Sequence, residues 1–190
     1  MSRSALGAAA GFVLAGGQSR RMGRDKALLV EDGLPWVERM AGLVRAVAGT
    51  CTVVAPAGRY EGLGLPVLGD RWPGEGPLGG ILTALDSSAA SLNLIVAVDM
   101  PFLEEEFLRS LLHEAELGAE TVVPLHADGN MEPLCGVYHA SALPGLRRFF
   151  GGGGRRVKSA LRTIPIRTVP APGHLLANIN TPEQWKAARS

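Results

Sequence analysis

Cysteine and histidine are scarce in this chain, and their scarcity argues against zinc and disulfide chemistry. The two cysteines, Cys51 and Cys135, lie in apolar runs without C-x-x-C spacing. We therefore expect two small buried residues, and neither a disulfide nor a metal pair. The four histidines are scattered, so a zinc site is not expected. No Ser–His–Asp or Cys–His arrangement is recognisable, which argues against a covalent enzyme intermediate.

The chain also lacks an excess of charge of one sign and a long apolar segment. Its formal net charge is +1, so no strong field favours nucleic acid or an acidic membrane surface as partner. No apolar run has the length of a transmembrane helix, and residues 1–10 are too weakly apolar for a signal peptide. We expect a cytoplasmic protein. Its 190 residues, 46% of them hydrophobic, suffice for one domain with a substantial core.

Short apolar runs alternate with helical patterns along the first two thirds of the chain. Strands are predicted at residues 11–15, 52–55, 66–68, 92–98 and 121–123, and helices at 34–47, 81–85 and 107–115. Between the third strand and the second helix, the glycine-rich residues 69–80 predict a structured loop. This alternation predicts a single-domain, three-layer α/β fold of Rossmann-like type, with a mostly parallel twisted sheet and helices on both faces.

The second half of the chain has a weaker pattern. Residues 133–139 predict an edge or antiparallel strand, because Pro133 cannot donate to a ladder. Residues 164–169 predict another short strand, and Thr181 with Pro182 predicts the start of a last helix, anchored by Trp185. We expect these elements to form a single domain with two halves, residues 11–105 and residues 106–190.

The loop after the first predicted strand, residues 14–26, combines adjacent glycines with a cluster of cations. Gly16 and Gly17 permit close approach of the main chain to a ligand, with backbone N–H groups turned inward. The cations, which could make charge-assisted contacts with phosphate, are Arg20, Arg21, Arg24 and Lys26. The loop matches neither the P-loop nor G-x-G-x-x-G. By composition alone, a phosphate cradle and a solvated basic loop fit equally well.

Three aspartates are candidates for binding roles. Asp99 follows the best predicted buried strand, and ligands of open α/β sheets bind outside the carboxyl ends of strands. Since Mg²⁺ takes one or two carboxylates and keeps several waters, we predict Asp99 as its ligand; the alternative is a helix N-cap. Asp70 in the glycine-rich loop is either a binding residue or a turn residue. Asp25 is expected to order its own loop.

Six strings, in this order, resemble the molybdenum cofactor guanylyltransferase family along nearly the whole chain. They are LAGGQSRRMGRDKALL from Leu14, GPLGG from Gly76, VDMPFL from Val98, EPLCGVY from Glu132, GRRV from Gly154 and NINTPE from Asn178. The resemblance implies transfer of GMP from GTP to the terminal phosphate of the molybdenum-molybdopterin cofactor. The implied products are the guanine dinucleotide cofactor and pyrophosphate, and the implied cofactor is Mg²⁺.

The resemblance implies that residues 11–105 form the nucleotide-binding half and residues 106–190 the acceptor-binding half, and it also implies roles for particular residues. Leu14, Ala15, Gly16 and Gly17 would line the nucleotide, and Asp70 would contact it. Lys26 would pair with the phosphates, and Arg21 would neutralise the leaving pyrophosphate, with Arg20 as the alternative. The backbone of four residues would meet the guanine base: Gly76, Pro77, Leu78 and Gly79.

On the acceptor side the resemblance implies binding by Arg155, Arg156, Asn178 and Asn180. The glycine run 151–154 before the arginines suggests a mobile segment, although a solvated helix start fits the same residues, and strand capping fits the asparagines. The implied partners are GTP, molybdenum-molybdopterin, the molybdenum-insertion protein and molybdoenzyme chaperones. Two alternatives stay open. One is a relative that uses CTP on molybdopterin or activates a sugar or isoprenoid phosphate; the other is a non-catalytic carrier of nucleotide or cofactor.

Overall fold

A computed structural model describes residues 9–17, 25–118, 120–179 and 184. Its strands are β1 (Ala10–Leu14), β2 (Val30–Glu31), β3 (Leu34–Pro35), β4 (Thr52–Ala55), β5 (Val67–Gly69), β6 (Leu92–Ala97), β7 (Thr121–Leu125), β8 (Cys135–His139) and β9 (Ile166–Pro170). Its helices are α1 (Trp36–Ala48), α2 (Pro77–Ser87), α3 (Glu105–Glu116), α4 (Leu143–Gly151) and α5 (Val157–Leu161).

Seven of these strands form one mostly parallel sheet in the order β5-β4-β1-β6-β8-β7-β9. Strand β8 runs antiparallel to β6 and β7, and the other neighbouring pairs of this sheet are parallel. The expected antiparallel strand at residues 133–139 is thereby confirmed. Every residue of β6 is buried, which is typical of a strand covered on both faces.

Helices cover both faces of the sheet, because successive side chains of each strand point to opposite faces and both sets are apolar. On one face, α1 and α3 pack against residues such as Val13, Leu94 and Val96. On the other face, α2, α4 and α5 pack against Phe12, Val54 and Ile95. This arrangement confirms the predicted three-layer α/β fold.

Helix α2 begins earlier than expected, so the prediction that residues 69–80 form an irregular loop is wrong at its end. Gly76 precedes the helix with a positive φ of 82°, and Pro77 occupies the first turn, where its missing N–H costs nothing. Two further glycines, Gly79 and Gly80, lie within the helix, where close neighbours leave little room for a side chain. A Cβ at Gly79 would lie 3.0 Å from the Cβ of Trp72, and one at Gly80 would lie 3.3 Å from Leu14.

The glycine run 151–154, expected to be mobile, ends helix α4 instead. The N–H groups of Gly152, Gly153 and Gly154 donate to carbonyl oxygens of the last turn, as in other helix C-caps. A Cβ at Gly154 would lie 2.2 Å from the ring of Phe149. Sequence periodicity missed α4, α5 and the β2–β3 hairpin. The helix expected from Thr181, with Trp185, lies outside the described residues, apart from helical Gln184.

Both cysteines are buried and unpaired, as expected. Burial raises the pKa of Cys51 to about 12 and raises the pKa of the Cys135 thiol well above its ordinary range. Within the described part of the chain, no helix has the length and apolarity needed to cross a membrane.

Candidate active site

The strands β1, β4, β5 and β6 are parallel, so their carboxyl ends meet at one edge of the sheet. From β1 the chain goes outward to β4 and β5 and then returns to β6 on the other side of β1. A ligand crevice is expected where the strand order reverses in this way. A cleft of about 420 Å³ opens there, lined by Leu14, Gly16, Gly17, Lys26, Val54, Asp70, Gly74, Gly76, Pro77, Gly80, Ala97, Val98, Asp99 and Leu134.

The end of β1 contributes bare backbone to this cleft. A Cβ at Gly16 would have only the Oδ2 of Asp70 near it, at 3.8 Å, and one at Gly17 would have no described atom within 4 Å. Packing against the described residues therefore does not require glycine at either position. The predicted Ala15 does not line the cleft. Its N–H donates to the carbonyl of Val54 at 2.9 Å, and its own carbonyl oxygen lies 3.3 Å from the hydroxyl oxygen of Tyr60.

Lys26 and Asp99, 73 residues apart in sequence, meet in this cleft. The Nζ of Lys26 lies 2.5 Å from Asp99 Oδ2, and the two side chains are 13% and 20% exposed. A short 3-10 helix, Lys26–Leu28, begins at the lysine, and Asp25 caps it by accepting from the N–H of Ala27 at 3.1 Å. The hydroxyl of Tyr60 donates to the other Asp25 oxygen at 2.9 Å. Asp25 therefore orders its own loop, as expected.

Tyr60 is held close to this loop as a neutral donor. Burial, followed by the hydrogen bond to Asp25, raises the pKa of the Tyr60 hydroxyl well above its ordinary range. A neutral phenol beside the Asp25 carboxylate can only donate to it, so the bond ties the loop that carries Lys26 to the segment that follows β4.

Asp99 is the candidate for binding a cation. The alternative role of N-cap is excluded, because Glu104 occupies that position of α3. Among the described residues, no group of three or more His, Cys, Asp or Glu side chains could hold a metal. A single carboxylate suits Mg²⁺, which is commonly bound by one or two carboxylates together with substrate phosphates and water. The donors present therefore fit a magnesium ion shared with a phosphate ligand, and do not form a complete metal cage.

Asp70 forms the turn that was one of its two expected roles, and it also lines the cleft. Its Oδ1 accepts from the N–H of Trp72 at 3.0 Å, which is a turn-forming bond, and lies 3.1 Å from the Thr83 hydroxyl. Its Oδ2 lies on the side of Gly16. The residue therefore shapes the glycine-rich segment and also presents a carboxylate oxygen to the cleft.

Of the four residues predicted to meet the base, the structure brings two to the cleft surface. Gly76 and Pro77 line it. The side chain of Leu78, in the first turn of α2, is fully buried in the core, and Gly79 packs against Trp72, so these two offer only backbone atoms. The prediction missed the lining residues Val54, Gly74, Gly80, Ala97, Val98 and Leu134. Val54 and Ala97 lie near the carboxyl ends of strands β4 and β6, a position that could have identified them.

Arg155 is engaged with the protein itself and is absent from the residues described as lining the cleft. Its guanidinium lies 4.0 Å from the centre of the Phe150 ring and donates to the carbonyls of Phe150 and Gly154 at 2.9 and 3.0 Å. It also pairs with Glu75 in the glycine-rich segment. Trp72 contacts the same Phe150 ring edge-on, with centroids 5.5 Å apart. Arg155 therefore ties the end of α4 to the segment that carries Asp70 and Gly76.

The other acceptor-side predictions have different outcomes. Arg156 is exposed and occupies the N-cap of α5. Asn178 adjoins the cation candidate, because the next residue, Ile179, donates its N–H to the Asp99 carbonyl at 3.0 Å. The Asn178 Oδ1 is buried without a hydrogen-bond partner in the described part of the chain. Four predicted cations and amides lie outside the described residues: Arg20, Arg21, Arg24 and Asn180.

Comparison with known proteins finds relatives over nearly the whole chain. The sequence profile of the MobA-like NTP transferase domain matches residues 11–166. A molybdenum cofactor guanylyltransferase of Rhodobacter capsulatus is 37% identical, over 94% of this chain and 94% of its own length. A probable molybdenum cofactor guanylyltransferase of Nostoc is also 37% identical, over 90% of this chain and 86% of its own. The crystal structure of molybdopterin-guanine dinucleotide biosynthesis protein A from Archaeoglobus fulgidus superposes with a TM-score of 0.78 at 26% identity, covering 94% and 96% of the two chains.

Proposed function

The chain belongs to the MobA-like NTP transferase domain family, and from this membership we propose that it transfers GMP from GTP to the terminal phosphate of molybdenum-molybdopterin, with release of pyrophosphate. The observation that carries the proposal is the convergence of Gly16, Gly17, Lys26, Asp70, Gly76 and Asp99 on one cleft. The full-length similarity to relatives named as guanylyltransferases supports the choice of substrates.

The cleft offers a different chemistry to each part of GTP. Gly76 and Pro77 present backbone atoms at the start of α2, where the base would bind. The open backbone at Gly16 and Gly17 permits close approach of the phosphates. The ammonium of Lys26 would contact those phosphates, since charge-assisted hydrogen bonds to phosphate are strong and the residue lies at the same cleft.

The reaction needs positioning and charge stabilisation more than proton transfer. A phosphate oxygen of the acceptor would attack the α-phosphorus of GTP in line, and this nucleophile is already ionised. Accordingly, the described residues that line the cleft include no histidine that would act as a base. Asp99 would hold Mg²⁺, which when bound supplies neutralisation of the charge on the reacting phosphates. Lys26, with Arg21 or Arg20, would stabilise the pyrophosphate leaving group.

The acceptor would bind on the side of the cleft where Ile179 contacts Asp99. Asn178 adjoins this contact, and Arg156 and Asn180 are the further residues proposed for the acceptor. The structure gives Arg155 another task, described above, so its contribution to acceptor binding would be indirect. We further propose that the chain acts in the cytoplasm with the molybdenum-insertion protein and molybdoenzyme chaperones, because its substrate and its product pass between such proteins.

Pyrophosphate release tests the proposal directly. The purified chain would be incubated with molybdenum-molybdopterin and Mg²⁺ and with GTP, CTP or UTP in parallel. We expect release with GTP, at least tenfold faster than with either pyrimidine nucleotide. Faster release with CTP would assign the chain to a cytidylyl-transferring relative. Tight binding of GTP and cofactor without any release would refute catalysis and favour a carrier.

A further inference from the structure

We propose that Thr83 is a positioning residue for nucleotide binding, whose hydroxyl fixes the carboxylate of Asp70 in the cleft. The inference rests on the proposed function, since it concerns the same nucleotide site. Thr83 does not line the cleft itself. It would act through Asp70, which does.

The hydroxyl of Thr83 lies at the junction of three groups. The backbone N–H of Arg71 donates to Thr83 Oγ1 at 3.1 Å. The Oγ1 lies 3.1 Å from Asp70 Oδ1 and 3.0 Å from the carbonyl of Gly79. We assign its one proton to Asp70, because a hydrogen bond to a charged carboxylate is stronger than one to a neutral carbonyl. The side chain is fully buried, where such bonds are not exchanged with water.

This junction lies between the two ends of the glycine-rich segment, residues 69–80. Asp70 and Arg71 stand at one end and Gly79 at the other, while Gly74 and Gly76 between them line the cleft. Both of these glycines have positive φ angles, 86° and 82°, and neither has a side chain that could hold the path of the segment. The path of the segment is therefore held by contacts of its other residues. The pair between Glu75 and Arg155 is exposed, whereas the contacts of the Thr83 hydroxyl with Asp70 and Arg71 are made by a fully buried side chain.

The bonds to Asp70 also determine which of its oxygens faces the ligand. Oδ1 is occupied by the N–H of Trp72 and by the Thr83 hydroxyl. Oδ2 is on the side of Gly16, where it can accept hydrogen bonds from ribose hydroxyls or base N–H groups of a nucleotide. Without the Thr83 hydroxyl, Asp70 keeps only the bond from Trp72 on Oδ1, and rotation of the carboxylate becomes easier.

Packing alone does not account for a threonine at this position. Its neighbours in α2, Leu82 and Ala84, are fully buried and apolar, and a hydroxyl among them is costly unless it is hydrogen-bonded. Valine has the same shape and would fill the same space. What distinguishes threonine from valine here is the hydroxyl, and hence the hydrogen bonds that it makes with the carboxylate of Asp70 and the N–H of Arg71.

The test compares Thr83→Val, Thr83→Ser and Thr163→Val with the wild-type chain in steady-state kinetics, well below the melting temperature of each. Thr163 is a matched control, since its hydroxyl donates only to the local carbonyl of Ala160, at 2.7 Å, among the described residues. We expect Thr83→Val to raise KM for GTP by roughly threefold to tenfold, the effect of one hydrogen bond. We expect kcat to change by less than about twofold. Thr83→Ser should restore KM, and Thr163→Val should leave it unchanged.

A double variant separates positioning from a structural role. If Thr83 acts through Asp70, adding Thr83→Val to Asp70→Ala should raise KM no further. Three results would each overturn the inference and leave the proposed function intact. They are a KM in the double variant that reflects both single effects multiplied, an equal fall of kcat in Thr83→Val and Thr163→Val, and an unchanged KM in Thr83→Val. A wild-type chain that releases no pyrophosphate from any nucleotide would overturn both.

Discussion

Replacement of Asp99 by asparagine tests the centre of the proposed site. The change keeps the shape of the side chain and removes its charge, so it breaks the ion pair between Asp99 and the ammonium of Lys26. The two charged groups are 2.5 Å apart and 13% and 20% exposed. Loss of this ion pair is therefore expected to lower the free energy of unfolding measurably. The loss of the proposed cation ligand is expected to lower the reaction rate far more.

The two effects differ in size. Breaking a buried ion pair from one side costs about 3–5 kcal/mol, whereas an exposed pair contributes about 0–1 kcal/mol. For this partly buried pair we expect a loss of about 1–3 kcal/mol in the free energy of unfolding, with a fall in Tm of roughly 2–4 °C for each kcal/mol. The loss of a preorganised group that stabilises transition-state charge costs about 10³-fold in kcat, or roughly 4 kcal/mol.

The assay is pyrophosphate release over a range of Mg²⁺ concentrations, combined with thermal unfolding of each variant. Glu31→Gln is the matched control, because the Glu31–Arg39 pair is 2.6 Å apart and Glu31 is 23% exposed, outside the cleft. We expect Glu31→Gln to lose some stability and to keep the wild-type rate. An Asp99→Asn chain that retains more than about a tenth of the wild-type rate, with an unchanged Mg²⁺ dependence, would refute the assignment of Asp99 as the ligand.

Three further predictions concern the glycine loop, Arg155 and the buried thiol. Gly17→Ala should leave Tm within about 1–2 °C, since no described atom lies near its Cβ, but raise KM for GTP; an unchanged KM would show that phosphates do not approach there. Arg155→Ala should raise KM for GTP more than KM for the acceptor, because Arg155 holds Glu75 and Phe150, whereas the reverse ratio would make it a direct acceptor ligand. Burial raises the pKa of Cys51 from 9.0 to about 12, so the folded chain keeps a proton that the unfolded chain releases, and stability should fall as pH rises from 9 towards 12. Cys51→Ala should flatten that slope in urea unfolding curves, and an equally steep slope in the variant would contradict the assignment.

Local patterns in the sequence predicted much of the fold and part of the site. The apolar runs of β1, β4 and β6 are buried on both faces, so each is recognisable from its own residues. Asp99 was predicted as a binding residue because it follows such a strand, and the carboxyl ends of parallel strands share an edge. The start of α2 was missed because glycine ordinarily indicates a loop, whereas the small size of Gly79 is required by Trp72. Helix α4 was not predicted at all, and the glycine run that ends it was expected to be a mobile segment.

What the sequence by itself determined is therefore the order of the main strands, the class of the sheet and the candidate residues for phosphate binding. Only the tertiary structure decided which of those residues meet. Lys26 and Asp99 approach across 73 residues, and Arg155 reaches Glu75 across 80. The physical reason is that burial and periodicity act on neighbouring residues, whereas the direction and the partners of a long polar side chain depend on packing between distant elements.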